Sequence, residues 1–393
     1  MDEQNRSFIH KPLVYTLIAI SIFSCIAISS ATPLTVGNVN YAPKQAMWYI
    51  IGFIGMFATY KFGVDRIYTS AKVIYWSLMV LLVPLAIIQH FPALANPLIR
   101  PVNGATSWYQ IPGLGSFQPS EFMKMMILIL LSKTVQEHNE HYSLHTFESD
   151  CQLLLKVASI VLPPCILIYL QNDSGVTMII IVSVLFLLFS SGLQMRWFLF
   201  GAGLIIALVL FVAYIFLYNQ DLFKTIFSGH KASRFYGWLD PEGTYSYEGY
   251  QLFNALLSLG TASLFGHGYR SVVMNFPEAQ TDFIFAVITQ SFGFVGGIIA
   301  LILILSLDLI ILKIGLNSNE KGRCFATGLF GVLFIQQIWN MSMVTGLLPI
   351  TGITLPLFSY GGSSLLSYML MMGVVLDMEK QNRILKSKLH SYE

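Results

Sequence analysis

The sequence predicts an all-α polytopic membrane protein with ten transmembrane helices. Three observations support this fold class: the composition, the number of long apolar segments and the distribution of basic residues. Of the 393 residues, 55% are hydrophobic and only 11% are charged, whereas a soluble globular chain carries about 25% charged residues. The net charge of +2 is small and no basic block stands out, so the composition does not favour nucleic acid as a partner.

Ten segments are long and apolar enough to cross a bilayer, which takes about 20 mainly apolar residues. The first is longer than the apolar core of a signal peptide and is followed by further apolar segments, so we interpret it as a retained span. The fourth is short and begins with the polar sequence QPSE. The predicted spans are 12–32, 46–64, 71–90, 119–135, 152–171, 174–193, 197–218, 283–306, 323–347 and 353–376.

Basic residues assign an orientation to these spans, because cytoplasmic loops carry an excess of Lys and Arg. With the N-terminus inside, 15 of the 22 Lys and Arg residues lie on the cytoplasmic side, six lie outside, and Lys124 falls within a span. This arrangement predicts a single membrane domain over residues 1–393 with both termini in the cytoplasm. It also predicts two long extracellular loops, at about 91–118 and 219–282.

The larger outer loop contains an amphipathic stretch, YQLFNALLSLG, in which Leu252, Leu256 and Leu259 share one helical face. At about 15 residues the helix is too short to span a bilayer. It either lies in the outer interface or dips part-way into it as a re-entrant helix, or it packs on the outer ends of the bundle. Both alternatives hold the loop against the membrane surface.

Polar groups in or beside the spans are the candidate functional residues, because burying them in a bilayer costs about several kcal/mol. Pro119 fits the first turn of the fourth span, and Glu121 and Lys124 are spaced i, i+3 so that they can pair on one helix face. One interpretation is a capped helix start with a local ion pair. The other is that Lys124 supplies buried positive charge to an anionic ligand.

Two further polar segments lie on the predicted outer face. Asp173 stands in the short turn QNDSGVT and fits an ordinary turn aspartate. The segment 233–251 alternates aromatic residues with charged ones that include Arg234, Asp240 and Glu242. Sugar-binding surfaces use such a pattern, but interfacial belts of Tyr and Trp have the same sequence signature.

The stretch PEAQTDFIF places Glu278 and Asp282 directly before the eighth span. Asp282 is either a helix N-cap, worth about 1 kcal/mol, or a carboxylate kept at the bilayer edge for chemistry. Further along this span, Gly293 and Gly297 are four residues apart, and this spacing predicts the close approach of another helix.

The last apolar region, 340–364, is interrupted by several helix-breaking residues. Irregular backbone at membrane depth is tolerated only where it is buried in protein or lines a cavity, so we expect a groove near the last two spans. Gln336 and Asn340, spaced i, i+4, would give this groove a polar face. The interrupting residues are Pro349, Gly352, Pro356, Gly361 and Gly362.

The glycine pair Gly361-Gly362 is expected to serve backbone shape rather than contact. From the residues alone, the features describe a membrane protein with an outward-facing, partly charged groove. Such a groove suits either an enzyme or a lipid transporter.

Cysteine and histidine give no sign of a metal site. The four cysteines are far apart in sequence and are interpreted as small apolar residues. His138, His141 and His145 cluster in a polar stretch, where we interpret them as part of a solvated loop because no second cluster completes a metal site.

Three motifs resemble signatures of the SEDS family of RodA, FtsW and SpoVE, and they occur in the family's order. They are QPSEFMK (118–124), PEAQTDFIFAVI (277–288) and TGITLPLFSYGGSS (351–364). GATSWYQIPG, QNDSGVT and GYQ (249–251) are weaker matches. The resemblance covers nearly all of the chain, and among the branches the chain is most similar to RodA of low-GC Gram-positive bacteria.

The resemblance implies a peptidoglycan glycosyltransferase that polymerises lipid II at the outer face of the bacterial cytoplasmic membrane. It would serve cell elongation and shape, as RodA does, or division, as FtsW does. A class B penicillin-binding protein is the implied partner. The alternatives are a lipid II flippase and a non-catalytic membrane scaffold of the cell-wall machinery.

The resemblance also implies roles for individual residues. The aspartate of TDFIF, Asp282 here, would be the catalytic base. No cofactor is assigned, and a divalent cation stays open as a way to balance the leaving diphosphate. The candidate substrate-binding residues are Lys124, Glu121, Arg234, Gln251, Glu278, Ser359, Gly361, Gly362 and Ser363.

Two positions depart from the family pattern. Ser107 stands before Trp108, where the family often has Arg. Thr289, Gln290 and Ser291 follow TDFIFAVI, where the family commonly has Glu. This second departure weakens any role for a second acid in this chain and leaves the expectation for Asp282 unchanged.

Overall fold

The computed structural model describes residues 9–102, 104–113, 115–142, 144–227, 230–246 and 249–390. Within these residues the chain forms thirteen α-helices and one two-stranded antiparallel sheet. The helices are α1 (Lys11–Ser30), α2 (Ala42–Phe62), α3 (Val64–His90), α4 (Pro119–His141), α5 (Phe147–Leu170), α6 (Ser174–Phe189), α7 (Met195–Tyr218), α8 (Gln220–Ile226), α9 (His230–Leu239), α10 (Gly249–Thr261), α11 (Ile284–Leu316), α12 (Glu320–Val344) and α13 (Gly362–His390). The strands are β1 (Tyr109–Ile111) and β2 (Gly115–Phe117).

Each of the ten predicted spans overlaps a helix, namely α1 to α7 and α11 to α13. By length and composition, six of the described helices could cross a membrane: α1, α3, α5, α7, α11 and α12. Helix α6 is apolar but shorter. The membrane class is therefore confirmed, and the count of ten spans stays a prediction.

Helix α4 occupies the centre of the bundle. It contacts α3, α5, α6, α12 and α13, and its residues from Met123 to Ser132 are all buried. Around it, α2 packs against α13, α6 against α12, and α11 against α12 and α1. Helix α7 lies at the periphery, since Ile215 is its only buried residue. A central α4 explains why this span can contain polar residues: protein surrounds it, not lipid.

The first outer loop contains the hairpin of β1 and β2, which the all-α prediction missed. Tyr109 pairs with Phe117 and Ile111 pairs with Gly115. The turn between the strands uses Gly113, whose φ of 82° favours glycine. Strands of three residues give too short an alternating pattern to be recognised in the sequence.

The loop predicted to be the second outer loop contains α8, α9 and α10. Helix α10 packs against α9, α11 and α12 and buries Leu252, Ala255 and Ser258. This packing agrees with one of the two alternatives for the amphipathic stretch, and its place relative to the bilayer stays a prediction.

Helix α11 is broken at Gly293, which has φ 65° and ψ −158°. The backbone groups released by the break are bonded to the segment 263–268. His267 N–H donates to the Gln290 carbonyl (2.8 Å), and Phe294 N–H donates to the Ser263 carbonyl (3.0 Å). A Cβ at Gly293 would lie 2.4 Å from the backbone of this segment. The expectation that another helix approaches here is wrong: an outer-loop segment does.

The last predicted span begins too early. Residues 351–361 are irregular, and α13 begins only at Gly362. Pro356 cannot donate a helical hydrogen bond, and Gly352 and Leu357 have positive φ values of 77° and 66°. Residues 353–358, with Thr354 half-buried and the others buried, form the irregular segment at the bundle's outer end that the interrupted sequence predicted.

The histidine cluster does not form one solvated loop. His138 and His141 lie on α4, and His138 is completely buried. His145 follows the helix and its Nδ1 lies 2.9 Å from Oδ1 of the buried Asp150. The interpretation as a solvated loop is wrong for His138, because α4 continues past the predicted end of the fourth span into packed protein.

Candidate functional site

Asp282 lies near the N-terminal end of α11, which is predicted to be the outer end, but does not cap it. The N-cap residue is Phe283, and no side chain makes a capping hydrogen bond there. Among the described residues, none donates a hydrogen bond to the Asp282 carboxylate, which is half-buried. The N-cap interpretation is therefore wrong, and the carboxylate remains available to a ligand.

The surroundings of Asp282 suit a proton acceptor. Burial and, to a smaller extent, the nearby negative charge of Glu278 raise the pKa of its carboxyl, and the positive charge of Arg234 opposes the rise, so that the pKa is about 7. A group with a pKa near the working pH accepts a proton and remains substantially ionised beforehand. Asp282 can therefore act as a general base near neutral pH.

Two chain segments form the walls beside Asp282. The side chain of Ser359 donates to the Thr281 carbonyl (2.7 Å), and Tyr360 N–H donates to the Gln280 carbonyl (2.9 Å). Asn340 of α12 donates from Nδ2 to the Asp282 and Ile353 carbonyls, each at 2.7 Å. These bonds fasten the segment 278–282 to the irregular segment 351–360.

Gly352 lies directly beside the carboxylate. It is exposed, and a Cβ placed on it would lie 3.5 Å from Asp282 Oδ2. Its φ of 77° strains any other L-residue. The carboxylate therefore lies against an exposed stretch of backbone that carries no side chain.

Glu278 and Arg234 are the charged residues that shift the pKa of Asp282. Glu278 has a φ of 57° and accepts a hydrogen bond from Thr281 Oγ1 at 2.9 Å, so it shapes the turn before Asp282. Arg234 is exposed on α9. Trp238, one turn later, donates from Nε1 to the Gly346 carbonyl (2.8 Å), which ties α9 to the segment just after α12. Gln251 is half-buried on α10.

Lys124 and Glu121 lie in the interior and not at the Asp282 surface. Lys124 is completely buried, with its Nζ 2.8 Å from Glu121 Oε2 and 2.7 Å from the Tyr368 hydroxyl. Tyr368 in turn donates to Gln336 Oε1 (2.9 Å). This chain of contacts joins α4, α13 and α12. It supports the interpretation of a local ion pair, because a ligand would have to enter packed protein to reach Lys124.

Asp173 is a helix cap. Its Oδ1 accepts from Val176 N–H (3.2 Å) at the start of α6, and its Oδ2 accepts from Gln118 Nε2 (2.9 Å). The backbone N–H of Gln118 donates to the Ser363 hydroxyl (3.1 Å). Ser363 therefore ties α13 to the start of α4 and does not face Asp282.

Gly361 and Gly362 do not serve the backbone shape that the sequence suggested. Neither has a positive φ. A Cβ on Gly362 would lie 2.4 Å from the Trp48 indole ring, so this glycine allows α13 to approach α2 closely. The expectation of shape rather than contact is wrong for Gly362.

The structure thus brings together only part of the predicted set. Asp282, Glu278, Arg234 and Ser359 lie at one place, whereas the Lys124–Glu121 pair is separate from it. Sequence reasoning placed Asn340 in a polar groove but not against Asp282, and it treated Gly352 only as a helix breaker. Among the described residues, no three His, Cys, Asp or Glu side chains are grouped to hold a metal ion.

Known proteins resemble this chain over nearly its whole length. The family model for FtsW, RodA and SpoVE, described as cell cycle protein, matches residues 7–384. Stage V sporulation protein E of Bacillus subtilis (strain 168) is 30% identical over 372 residues, which cover 89% of this chain and 94% of that protein. Peptidoglycan glycosyltransferase MrdB of Escherichia coli (strain K12) is 30% identical over 383 residues, covering 95% and 94%.

The fold is also shared with a solved structure. A chain from a study of the structural coordination of polymerization and crosslinking by a peptidoglycan synthase complex superposes with a TM-score of 0.74. It is 24% identical and the match covers 95% of this chain and 98% of that chain. The relatives come from different branches at the same identity, so the particular similarity to RodA stays a prediction. The family match and the relatives show that this chain belongs to the FtsW/RodA/SpoVE family.

Proposed function

We propose that this protein is a peptidoglycan glycosyltransferase that polymerises lipid II at the outer face of the bacterial cytoplasmic membrane. The observation that carries the proposal is the Asp282 carboxylate, which is half-buried, does not cap α11 and lies beside the exposed Gly352. The name of the relative MrdB, a peptidoglycan glycosyltransferase 30% identical to this chain, supports the reaction class.

The proposed reaction transfers a glycan from a lipid-linked diphosphate to the hydroxyl of an acceptor sugar. The acceptor oxygen forms a bond to the anomeric carbon of the donor, and the bond from that carbon to the diphosphate oxygen breaks. The diphosphate leaves with the electron pair. Asp282 takes the proton of the attacking hydroxyl, a contribution of about 10²–10⁴-fold in rate for a positioned base.

The leaving diphosphate needs positive charge as the bond breaks. Arg234 is exposed and close enough to influence the charge of Asp282, so we assign the diphosphate to this side of the site. Lys124 contributes indirectly, by holding α4, α12 and α13 together through Glu121, Tyr368 and Gln336. A divalent cation remains an alternative source of positive charge, which a chelator tests.

The proposed partner is a class B penicillin-binding protein with a single membrane span. This part rests on the family resemblance, and the outer surface of α11 offers a suitable apolar face. Its exposed residues extend along about four turns of the helix. They include Phe294, Ile298, Ile302, Leu305 and Leu309.

Purified protein and labelled lipid II separate this function from its rivals. Glycan strands formed without another glycosyltransferase support the proposal. Movement of lipid II between the leaflets of a vesicle without polymer identifies a flippase. Neither activity, with binding to the penicillin-binding protein intact, identifies a scaffold. Polymer formation should be measured with and without a chelator and with the partner added.

A further inference from the structure

One buried amide, that of Asn340, bonds to both of the chain segments that meet at the Asp282 carboxylate. Asn340 lies on α12 and is completely buried. Its Nδ2 donates to the carbonyl of Asp282 on one side and to the carbonyl of Ile353 on the other, each at 2.7 Å. Ile353 follows Gly352, the exposed residue that lies beside Asp282 Oδ2.

The backbone of Asp282 depends on this amide because α11 does not secure it. The helix begins at Ile284, and the first helical hydrogen bond onto the preceding segment is from Val287 N–H to the Phe283 carbonyl (3.1 Å). The Asp282 carbonyl lies one residue outside that ladder. Among the described residues, Asn340 is the hydrogen-bond donor that reaches it.

We propose that Asn340 is a positioning residue that fixes the distance between the Asp282 carboxylate and the Gly352 wall. The inference deepens the proposed function and rests on it. A reacting hydroxyl must lie within hydrogen-bond reach of its base, and a displacement of about 1 Å can cost about 10²-fold in rate. An amide that holds both walls at once controls this distance without touching the substrate.

The chain offers a matched control on the same helix. Gln337 is also buried, lies three residues before Asn340, and donates from Nε2 to Asp308 Oδ1 of α11 (3.2 Å). It therefore joins the same two helices, α12 and α11, away from Asp282. A purely structural role for Asn340 predicts that Asn340→Ala and Gln337→Ala behave alike.

The experiment compares purified wild type, Asn340→Ala and Gln337→Ala for melting temperature, lipid II polymerisation kinetics and the pH dependence of kcat. We expect both variants to lose stability, and only Asn340→Ala to lower kcat by about 10- to 100-fold, with a change in KM below about threefold. The midpoint of its pH profile should move to lower pH, because a loosened Asp282 gains water. The charged groups facing Asp282, Glu278 and Arg234, are unchanged in both variants.

An unchanged kcat and pH midpoint in Asn340→Ala, or the same changes in Gln337→Ala, would overturn the positioning role. Should Asn340→Ala not fold, Asn340→Ser gives the same test, since its hydroxyl is too short to reach both carbonyls. Asp282→Asn in the same assay distinguishes a failure of the base assignment from a failure of the positioning role. If it retains turnover, the base assignment itself fails; if it is inactive while Asn340→Ala is normal, only the positioning role fails.

Discussion

Asp173 and Asp282 stand in similar places but have different hydrogen-bond partners. Each is half-buried and lies close to the N-terminal end of an apolar helix: Asp173 is the N-cap of α6, and Asp282 lies two residues before α11. Burial raises the pKa of both carboxyls, to about 6 for Asp173 and about 7 for Asp282. Both oxygens of Asp173 accept hydrogen bonds, from Val176 N–H and Gln118 Nε2, whereas no described residue donates to the Asp282 carboxylate.

The comparison shows that position, burial and a raised pKa do not separate a structural carboxylate from a chemical one. The hydrogen-bond partners of the carboxylate oxygens do separate the two kinds. A carboxylate that already accepts a backbone N–H and a side-chain amide stabilises its helix end. A carboxylate that is similarly buried but has no such donors does not stabilise its helix end in this way. Such a loss of local stabilisation is typical of functional sites.

The largest expected difference in turnover is between the asparagine variants of the two aspartates. Asp282→Asn should lower turnover by about 10²-fold or more, because the amide cannot accept the hydroxyl proton. Lipid II binding and thermal stability should remain near wild type. Asp173→Asn retains a good N-cap acceptor, so it should change stability by a few tenths of a kcal/mol at most, roughly, and leave turnover near normal.

Polymer formation, lipid II binding and melting temperature, measured on both variants, test this difference. Near-normal polymer from Asp282→Asn would contradict the assignment of the base, and Glu278 would become the next candidate. Equal losses in the two variants would show that the difference in hydrogen bonding has no functional meaning.

The sequence predicted the helices well and the site only in part. Apolar length places a helix, and each of the ten predicted segments overlaps one, although the last segment starts in the irregular residues before α13. The contacts that define the site join residues far apart in sequence: Asn340 and Asp282 are separated by 58 positions, and Ser359 and Thr281 by 78. No local pattern shows whether an aspartate before a helix caps it, because Phe283 takes the cap position only in the folded chain.

The same rule explains why the sequence left two interpretations of Lys124 open. Spacing correctly indicated the pair with Glu121, but a charge within a span looks the same in sequence whether it faces a ligand or a neighbouring helix. The Tyr368 and Gln336 partners come from α13 and α12. These partners favour the ion-pair interpretation.

Lys124→Met extends the comparison to a charge whose partners are all internal. It leaves Glu121 buried without a counter-charge, and breaking a buried pair in this way costs about 3–5 kcal/mol. Unfolding in detergent measures the loss. The double variant Lys124→Met, Glu121→Gln should recover much of it, because the unpaired charge is removed. Normal stability with lost activity would instead indicate that Lys124 binds the ligand.

Gly361 and Gly362 give a smaller effect through contact. Gly362→Ala places a Cβ 2.4 Å from the Trp48 ring, and such overpacking typically costs about 1–3 kcal/mol. Gly361→Ala is the control, since its Cβ would meet only the Ser364 hydroxyl at 2.8 Å, which can rotate. Melting temperatures of the two variants test the difference, and equal values would contradict the close approach of α13 to α2.

Asp173→Ala measures the stability that a capping carboxylate supplies. It removes the acceptor for Val176 N–H at the start of α6, so we expect a loss of about 1 kcal/mol. Turnover per folded molecule should change little. A loss of turnover by 10²-fold or more, about the loss expected for removing a general base, would mean that Asp173 also takes part in the reaction.

The smallest expected effect is a shift in the pH dependence of turnover when a charge near Asp282 is removed. The shift has opposite signs for Glu278 and Arg234. Turnover requires ionised Asp282, so it should rise with pH through about 7, the value to which burial raises this pKa. Glu278→Gln removes a negative charge that raises the pKa, so the midpoint should move to lower pH. Arg234→Gln removes a positive charge that lowers the pKa, so the midpoint should move to higher pH.

Because Arg234 is exposed and screened by solvent, its shift should be a few tenths of a pH unit, roughly, and should shrink as salt is added. The glutamine at 278 keeps an acceptor for Thr281 Oγ1, so the turn is preserved and the charge alone is tested. Shifts of the same sign in both variants would show that another group controls the pH dependence.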